Sequence, residues 1–78
     1  MKGVNRMITF EKAMDLVELE LKGSGLEIGN VLDDGEYFIF GYTNDVDLSP
    51  IGVNKETGQL DEYFPPAHPA FLKATPVN

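Results

Sequence analysis

Residues 36–43, EYFIFGYT, constrain the fold of this chain more than any other segment, because they are dense in aromatic and β-branched side chains. Such residues suit the pleated, half-buried surface of a sheet. Successive side chains of a strand point to opposite faces, which gives two sets here: Phe38, Phe40 and Tyr42, and Tyr37 with Ile39. The segment therefore predicts a central β-strand.

A helix is predicted before this strand, over residues 10–22. Thr9 offers a side-chain oxygen for the N-cap, and Glu11 lies in the first turn, where the helix dipole favours negative charge. Gly23-Ser24-Gly25 then supplies a stop. The apolar residues recur at helical spacing, which predicts one apolar stripe: Phe10, Ala13, Met14, Val17 and Leu21. We expect the helix to pack on a sheet by this stripe.

Three further strands are predicted, over residues 26–32, 51–55 and 59–64. Asp33-Asp34-Gly35 is a turn signal before the central strand. Residues 53–60, VNKETGQL, predict a second hairpin, in which Gly58 takes a positive φ. The predicted fold class is α+β, with one N-terminal helix packed on a four-stranded antiparallel meander sheet.

One domain is predicted for the whole chain of 78 residues. Residues 1–6 are interpreted as a loose N-terminal extension and residues 7–64 as the core. Residues 65–78 are rich in proline, which cannot donate a hydrogen bond to a β-ladder, so this tail is predicted to be extended coil, from which Phe71 and Leu72 can dock on the core.

The charge of the chain is strongly acidic, with 13 Asp and Glu against six Lys and Arg and a net charge of −7. Within residues 26–64 Lys55 is the only base, so the excess of acid lies in the middle of the chain. Such a surface repels nucleic acid and anionic membranes, and it attracts basic proteins. The chain has no cysteine and no apolar leader, which favours the cytoplasm.

Enzyme activity is not predicted, because no nucleophile, base or metal cluster stands out. His68, the only histidine, lies among prolines without a predictable carboxylate or serine partner. Asp33 and Asp34 are adjacent acids at a turn, where both are expected to point to water. The spacing of residues from Asp45 resembles a calcium loop, but Pro50 stands where that loop needs glycine. We therefore predict no catalytic residue, no metal and no cofactor.

Three segments together resemble the immunity protein 35, or YrhB-like, family of small bacterial α+β proteins. They are residues 7–13 (MITFEKA), 36–40 (EYFIF) and 49–60 (SPIGVNKETGQL). The third is similar to the hairpin that closes the sheet in that family, and the resemblance spans about residues 7–64. It implies an immunity protein that binds and blocks a cognate toxin without chemistry of its own.

The acidic residues around the turns are the expected contacts with such a partner, which would be a basic toxin domain. The predicted charged contacts are Asp33, Asp34, Glu36, Asp45 and Asp47, with Tyr37 or Tyr42 as anchors. Two alternatives stay open: a small cytoplasmic regulatory or chaperone-like module, and a nucleic-acid mimic whose acids would lie in a regular row.

Overall fold

One α-helix packs on an antiparallel sheet, so the predicted α+β fold class is confirmed. The computed structural model describes residues 7–44, 48–65 and 68–77, and the predicted extension over residues 1–6 lies outside them. The elements in chain order are α1 (Phe10–Leu21), β1 (Ile28–Asp33), β2 (Tyr37–Tyr42), β3 (Ile51–Asn54), β4 (Leu60–Glu62), a 3-10 helix (Pro69–Lys73) and β5 (Thr75–Pro76).

The helix begins and packs as its sequence predicts. The hydroxyl of Thr9 accepts a hydrogen bond from the Lys12 N–H at 3.1 Å, which satisfies one of the donors that every helix start leaves open. Ala13 and Val17 are fully buried against the sheet. The ring of Phe10 stacks on Phe40, with centroids 6.2 Å apart. One face of α1 thus covers one face of the sheet.

The sheet has the strand order β4-β3-β2-β1-β5, with β2 in the centre as predicted. Phe40 pairs with Val31 on one side and Ile51 on the other, so these side chains share the face that α1 covers. Ile39, on the opposite face, is only 2% exposed. Both faces of the central strand are therefore buried, although a single helix covers only one of them.

The fifth strand corrects the prediction of a coil over residues 65–78. The tail forms a 3-10 helix and then β5, which pairs antiparallel with β1 through Asp33↔Thr75 and Leu32↔Pro76. The Val77 N–H extends this pairing by donating to the Val31 carbonyl at 2.9 Å. Pro76 is tolerated because β5 is an edge strand. A missing N–H on its outer side removes no hydrogen bond from the sheet.

Both predicted glycine turns are confirmed. Gly35 has φ +99° and Gly58 has φ +76°, in the left-handed region that glycine adopts at no steric cost. In the second turn the Gly58 N–H donates to the Asn54 carbonyl at 2.7 Å, while the Asn54 side chain accepts from the Glu56 N–H at 2.8 Å. The segment VNKETGQL is therefore a self-bonded turn between β3 and β4.

Candidate functional site

The predicted partner-binding residues do not form a single surface. At the β1–β2 turn lie Asp33, Asp34, Glu36 and Tyr37. Tyr42 is at the other end of β2, about 17 Å away at the usual rise per strand residue, and on the opposite face. Asp45 and Asp47 lie outside the described residues. The predicted contacts among the described residues therefore lie in two separate regions of the molecule.

Asp33 is part of an internal ion pair. Its Oδ1 lies 2.6 Å from the Nζ of Lys55, and that Nζ lies 4.8 Å from the ring centroid of Phe38. The lysine is thus held between a carboxylate and an aromatic face, which is a favourable position for a cation. The charge of Asp33 is balanced within the protein, which weakens it as a contact for a basic partner.

Asp34 does not point to water, contrary to the prediction. Its Oδ1 accepts from the N–H groups of Glu36 at 2.8 Å and Tyr37 at 2.7 Å, so the turn folds the carboxylate back toward the sheet. There Oδ2 accepts a hydrogen bond from the hydroxyl of Tyr63 at 2.5 Å. Tyr63 is only 1% exposed. Asp34 is therefore a structural acceptor for a buried phenol.

The ring of Tyr63 belongs to a group of four rings that covers the face of the sheet opposite α1. We call them the tyrosine cluster: Tyr37, Tyr63, His68 and Phe71. His68 stacks on Tyr63 with centroids 4.3 Å apart and planes 15° from parallel, and Phe71 lies 6.0 Å from Tyr63. The histidine that had no predictable partner thus packs on aromatic rings, and the tail supplies a second small core.

The electrostatics of the cluster favour a fixed donor and a fixed acceptor. Burial raises the pKa of Asp34, but hydrogen bonds from Tyr63, Glu36 and Tyr37, together with the nearby His68, outweigh it and lower the pKa overall. Burial, followed by the hydrogen bond to Asp34, raises the pKa of Tyr63 well above its usual range. Tyr63 therefore stays protonated at neutral pH, as a donor rather than a base or nucleophile.

This pair predicts a dependence of stability on acid. Because the folded-state pKa of Asp34 lies below its ordinary value of 3.8, its contribution is complete above that pH and is lost as pH falls through the folded-state pKa. Asp34→Asn should lower the free energy of unfolding at pH 7 by about 1–3 kcal/mol and flatten its decline in acid. Urea denaturation followed by circular dichroism at several pH values measures both effects.

Asp61→Asn is the matched control, since Asp61 is an exposed aspartate in β4 and makes no recorded ion pair with the described residues. It should change the free energy of unfolding by less than about 0.5 kcal/mol. A decline in acid that is equally steep in Asp34→Asn and in the unsubstituted protein would contradict the role assigned to Asp34.

The second region is a groove beside α1, on the helix side of the sheet, with a volume of about 340 Å³. We call it the acidic groove. Its lining combines carboxylates with apolar side chains: Glu20, Asp61 and Glu62, and Leu48, Ile51 and Leu60. Tyr42, one of the two predicted anchors, also lines it. Of the described residues that line this groove, none is basic.

The groove exists because α1 covers only part of the sheet. In the register of β3 and β4, Val53 lies opposite Leu60 and Ile51 lies opposite Glu62. Val53 is fully buried, whereas Ile51 and Leu60 are only half-buried. An apolar strip therefore emerges from beneath the helix between two carboxylates, and Leu48, which is 46% exposed, lies beside it.

A larger groove, of about 520 Å³, lies on the other side of α1 against β1. Its charged residues are Glu18, Lys22 and Glu27, so it carries both signs of charge. Of these two grooves, both lined by described residues, the acidic groove alone has charged lining residues of a single sign.

Most residues of the acidic groove were not among the predicted contacts. Glu20, Leu48 and Glu62 lie far apart in the chain, and only the packing of α1 beside β4 brings them together. The one local signal was the pair Asp61-Glu62 in a short terminal strand. Of the two predicted anchors, the structure places Tyr42 in this groove and Tyr37 in the tyrosine cluster.

Two further observations limit the chemistry of the described part of the chain. It contains no group of three or more His, Cys, Asp and Glu side chains arranged to hold a metal ion. No helix there has the length and apolar character needed to cross a membrane.

Comparisons of the chain with family models, curated proteins and solved structures found no match. What the protein can bind must therefore be inferred from its own surfaces.

Proposed function

We propose that this protein is a non-catalytic immunity protein, which binds a basic toxin domain and neutralises it. The observation that carries the proposal is the acidic groove, in which the side chains of Glu20 and Glu62 flank an apolar strip. Its lining also includes Asp61, and none of its described lining residues is basic. Carboxylates attract a basic partner and orient it, and burial of the apolar strip then stabilises the complex.

The distribution of internal contacts moves the proposed interface away from the β1–β2 turn. Asp33 already pairs with Lys55, and Asp34 already accepts from Tyr63. Both carboxylates would have to give up these partners to bind a toxin. In contrast, Asp61 and Glu62 are exposed and make no recorded ion pair within the described residues. The proposed interface therefore centres on β4 and the adjacent end of α1.

The tyrosine cluster supports a binding function rather than catalysis. Its phenol is buried and has a raised pKa, so Tyr63 is a poor nucleophile. Its histidine stacks on Tyr63 and lies edge to face with Tyr37. The sequence resemblance to the immunity protein 35 family agrees with a protein that acts only by binding. A standard interface buries about 800 Å² on each partner, so the groove would form the centre of a broader contact.

The test searches the genes next to this one for a toxin domain and measures its binding to this protein by isothermal titration calorimetry. The unsubstituted protein should bind, and affinity should fall as salt rises. The double substitution Glu20→Lys with Glu62→Lys should weaken binding by about 100-fold or more, because each change replaces attraction by repulsion. The matched control, Glu11→Lys with Glu56→Lys, makes the same change of charge outside the groove and should cost less than about tenfold.

Three results separate the proposal from its alternatives. Absence of binding to the unsubstituted protein at low salt would refute toxin neutralisation. Equal losses in the two double variants would show that total charge, not the acidic groove, governs binding. Weak binding to several unrelated proteins, unaffected by either double variant, would instead indicate a small regulatory or chaperone-like module.

A further inference from the structure

The strand β4 ends the sheet on one side, and its backbone can accept another strand. The Asn54 N–H donates to the Gln59 carbonyl at 2.9 Å, and the Tyr63 N–H donates to the Pro50 carbonyl at 2.8 Å. Antiparallel pairing alternates, so residues 59, 61 and 63 direct their backbone groups to β3. The backbone groups of Leu60 and Glu62 therefore point outward, to the side on which β4 has no neighbouring strand among the described residues.

This open edge borders the acidic groove. The side chains of Leu60 and Glu62 lie on the helix side of the sheet and line the groove, whereas Asp61, paired with Gly52, lies on the other face. A strand added beside β4 would direct every second side chain toward the groove and the intervening ones toward Asp61. The edge and the groove together therefore define the pattern of a segment that fits both.

We propose that the partner binds by strand addition, in which a basic extended segment pairs with the outer edge of β4. This inference rests on the proposed function and specifies the recognised part of the toxin. The segment alternates apolar residues, which enter the groove against Leu48 and Leu60, with lysine or arginine beside Asp61. Main-chain hydrogen bonds to Leu60 and Glu62 hold it in register.

The charges at the edge decide between possible occupants. A second copy of this chain pairing through β4 would bring Asp61 and Glu62 against their own counterparts, and like charges across strands destabilise pairing. The net charge of −7 adds to that repulsion. A basic segment would instead place positive charges beside Asp61 and Glu62, and opposite charges across strands stabilise pairing. The edge thus resists self-association and remains complementary to a positively charged strand.

The other edge of the sheet lacks these properties. It is formed by β5, which has only two residues, Thr75 and Pro76. Proline has no backbone N–H to donate, and a strand this short offers few groups to a partner. Neither of the two grooves beside α1 is lined by a residue of β5. Strand addition is therefore assigned to β4.

Amide hydrogen exchange with a synthetic peptide tests the proposal directly. The probe is a short peptide that alternates lysine with valine, added at saturation to the intact protein. Exchange at the outward N–H groups of Leu60 and Glu62 should slow by about tenfold or more, because each gains a hydrogen bond. The Asp61 N–H, which already faces β3, is the internal control and should change by less than about threefold. Equal changes at the three amides would overturn strand addition.

Two kinds of control isolate the backbone from the charge. A peptide with the same lysines and valines in two separate blocks should bind more weakly, since it cannot alternate. Two further peptides carry backbone N-methyl groups, one at the odd-numbered residues and the other at the even-numbered residues. One of them should bind about tenfold more weakly and the other less than about threefold more weakly, because only one of these two sets of N–H groups faces β4. Equal effects of the two N-methylated sets would contradict pairing with an edge.

A protein variant distinguishes failure of this inference from failure of the proposed function. Glu62→Pro removes an outward N–H and a charge, whereas Glu62→Gln removes the charge alone. Strand addition predicts that Glu62→Pro weakens toxin binding about tenfold more than Glu62→Gln, with both variants folded by circular dichroism. Glu62→Pro and Glu62→Gln could instead weaken toxin binding equally, while Glu20→Lys with Glu62→Lys still abolishes it. That result would overturn strand addition but not the proposal that the acidic groove binds a toxin. If the peptide pairs with β4 but the toxin does not bind, strand addition at this edge stands and the proposed function is overturned.

Discussion

Tyr63→Ala is expected to remove a large part of the stability of this protein. Tyr63 is 1% exposed, and its ring contacts Tyr37, His68 and Phe71. Removing a buried aromatic ring costs about 3–5 kcal/mol, whereas a chain of 78 residues has a total stability of about 4–12 kcal/mol. Urea denaturation followed by circular dichroism measures the loss, since the chain has no tryptophan to report it.

The neighbouring aromatic residue provides the control for this experiment. Phe64 is 57% exposed, so Phe64→Ala should cost less than about 1 kcal/mol. Equal losses from Tyr63→Ala and Phe64→Ala would mean that the tyrosine cluster is not a core.

Tyr63→Phe separates the ring from its hydroxyl. The ring contacts stay, but Asp34 loses a donor, and about 1–2 kcal/mol of stability should be lost. The pKa of Tyr63 is raised in the folded state, so the unfolded chain ionises first and stability falls as pH rises above 10.0. Tyr63→Phe should lack that part of the alkaline decline.

The first four strands and the helix were predictable because their signals are local. Thr9 caps the helix with the N–H of a residue three positions away, and Gly35 and Gly58 have positive φ inside short turns. Alternation along β2 gave the two faces of the sheet, and the apolar stripe gave the buried face of α1. Each of these signals occupies a few consecutive residues, where composition directly limits the backbone.

The second core was predicted only in part, because its contacts join distant parts of the chain. Phe71 docks on Tyr63, as the sequence suggests, whereas Leu72 is 90% exposed. Asp34 and Tyr63 are 29 residues apart, and β5 pairs with a strand from the first half of the protein. The prolines that suggested coil instead begin a 3-10 helix at Pro69 and occupy the outer edge at Pro76. Proline excludes a central strand, but it does not exclude a tail that docks by aromatic packing.

The sequence predicts an acidic binding surface but does not show which of its carboxylates are free to contact a partner. The excess of acid pointed to a basic partner, yet pattern alone does not show which carboxylates already have internal partners. Asp33 pairs with Lys55 and Asp34 accepts a hydrogen bond from Tyr63. The acids that line the acidic groove are instead those at the end of α1 and in β4. The protein thus closes one face of the sheet with its own tail and leaves an apolar strip of the other face uncovered beside α1.

The second large effect is expected from Gly52→Ala, and local propensity alone gives the opposite sign. Glycine weakens a strand, so alanine would ordinarily be tolerated or better at an interior position of β3. A Cβ at Gly52, however, would lie 2.9 Å from the Tyr63 Cδ2 and 3.2 Å from the Tyr37 Cδ2. These rings lie directly over the backbone of β3, so an added methyl group displaces the tyrosine cluster.

We expect Gly52→Ala to lower the free energy of unfolding by about 1–3 kcal/mol, the usual cost of overpacking a core. Gly41→Ala in β2 is the control, because its Cβ would lie 3.6 Å from the Asn30 carbonyl oxygen, an ordinary contact, and it should be neutral or slightly stabilising. In a double-mutant cycle the penalty at Gly52 should shrink when Tyr63→Leu removes the opposing ring. A penalty that is unchanged by Tyr63→Leu would place its cause in the backbone of β3 rather than in the rings packed over it.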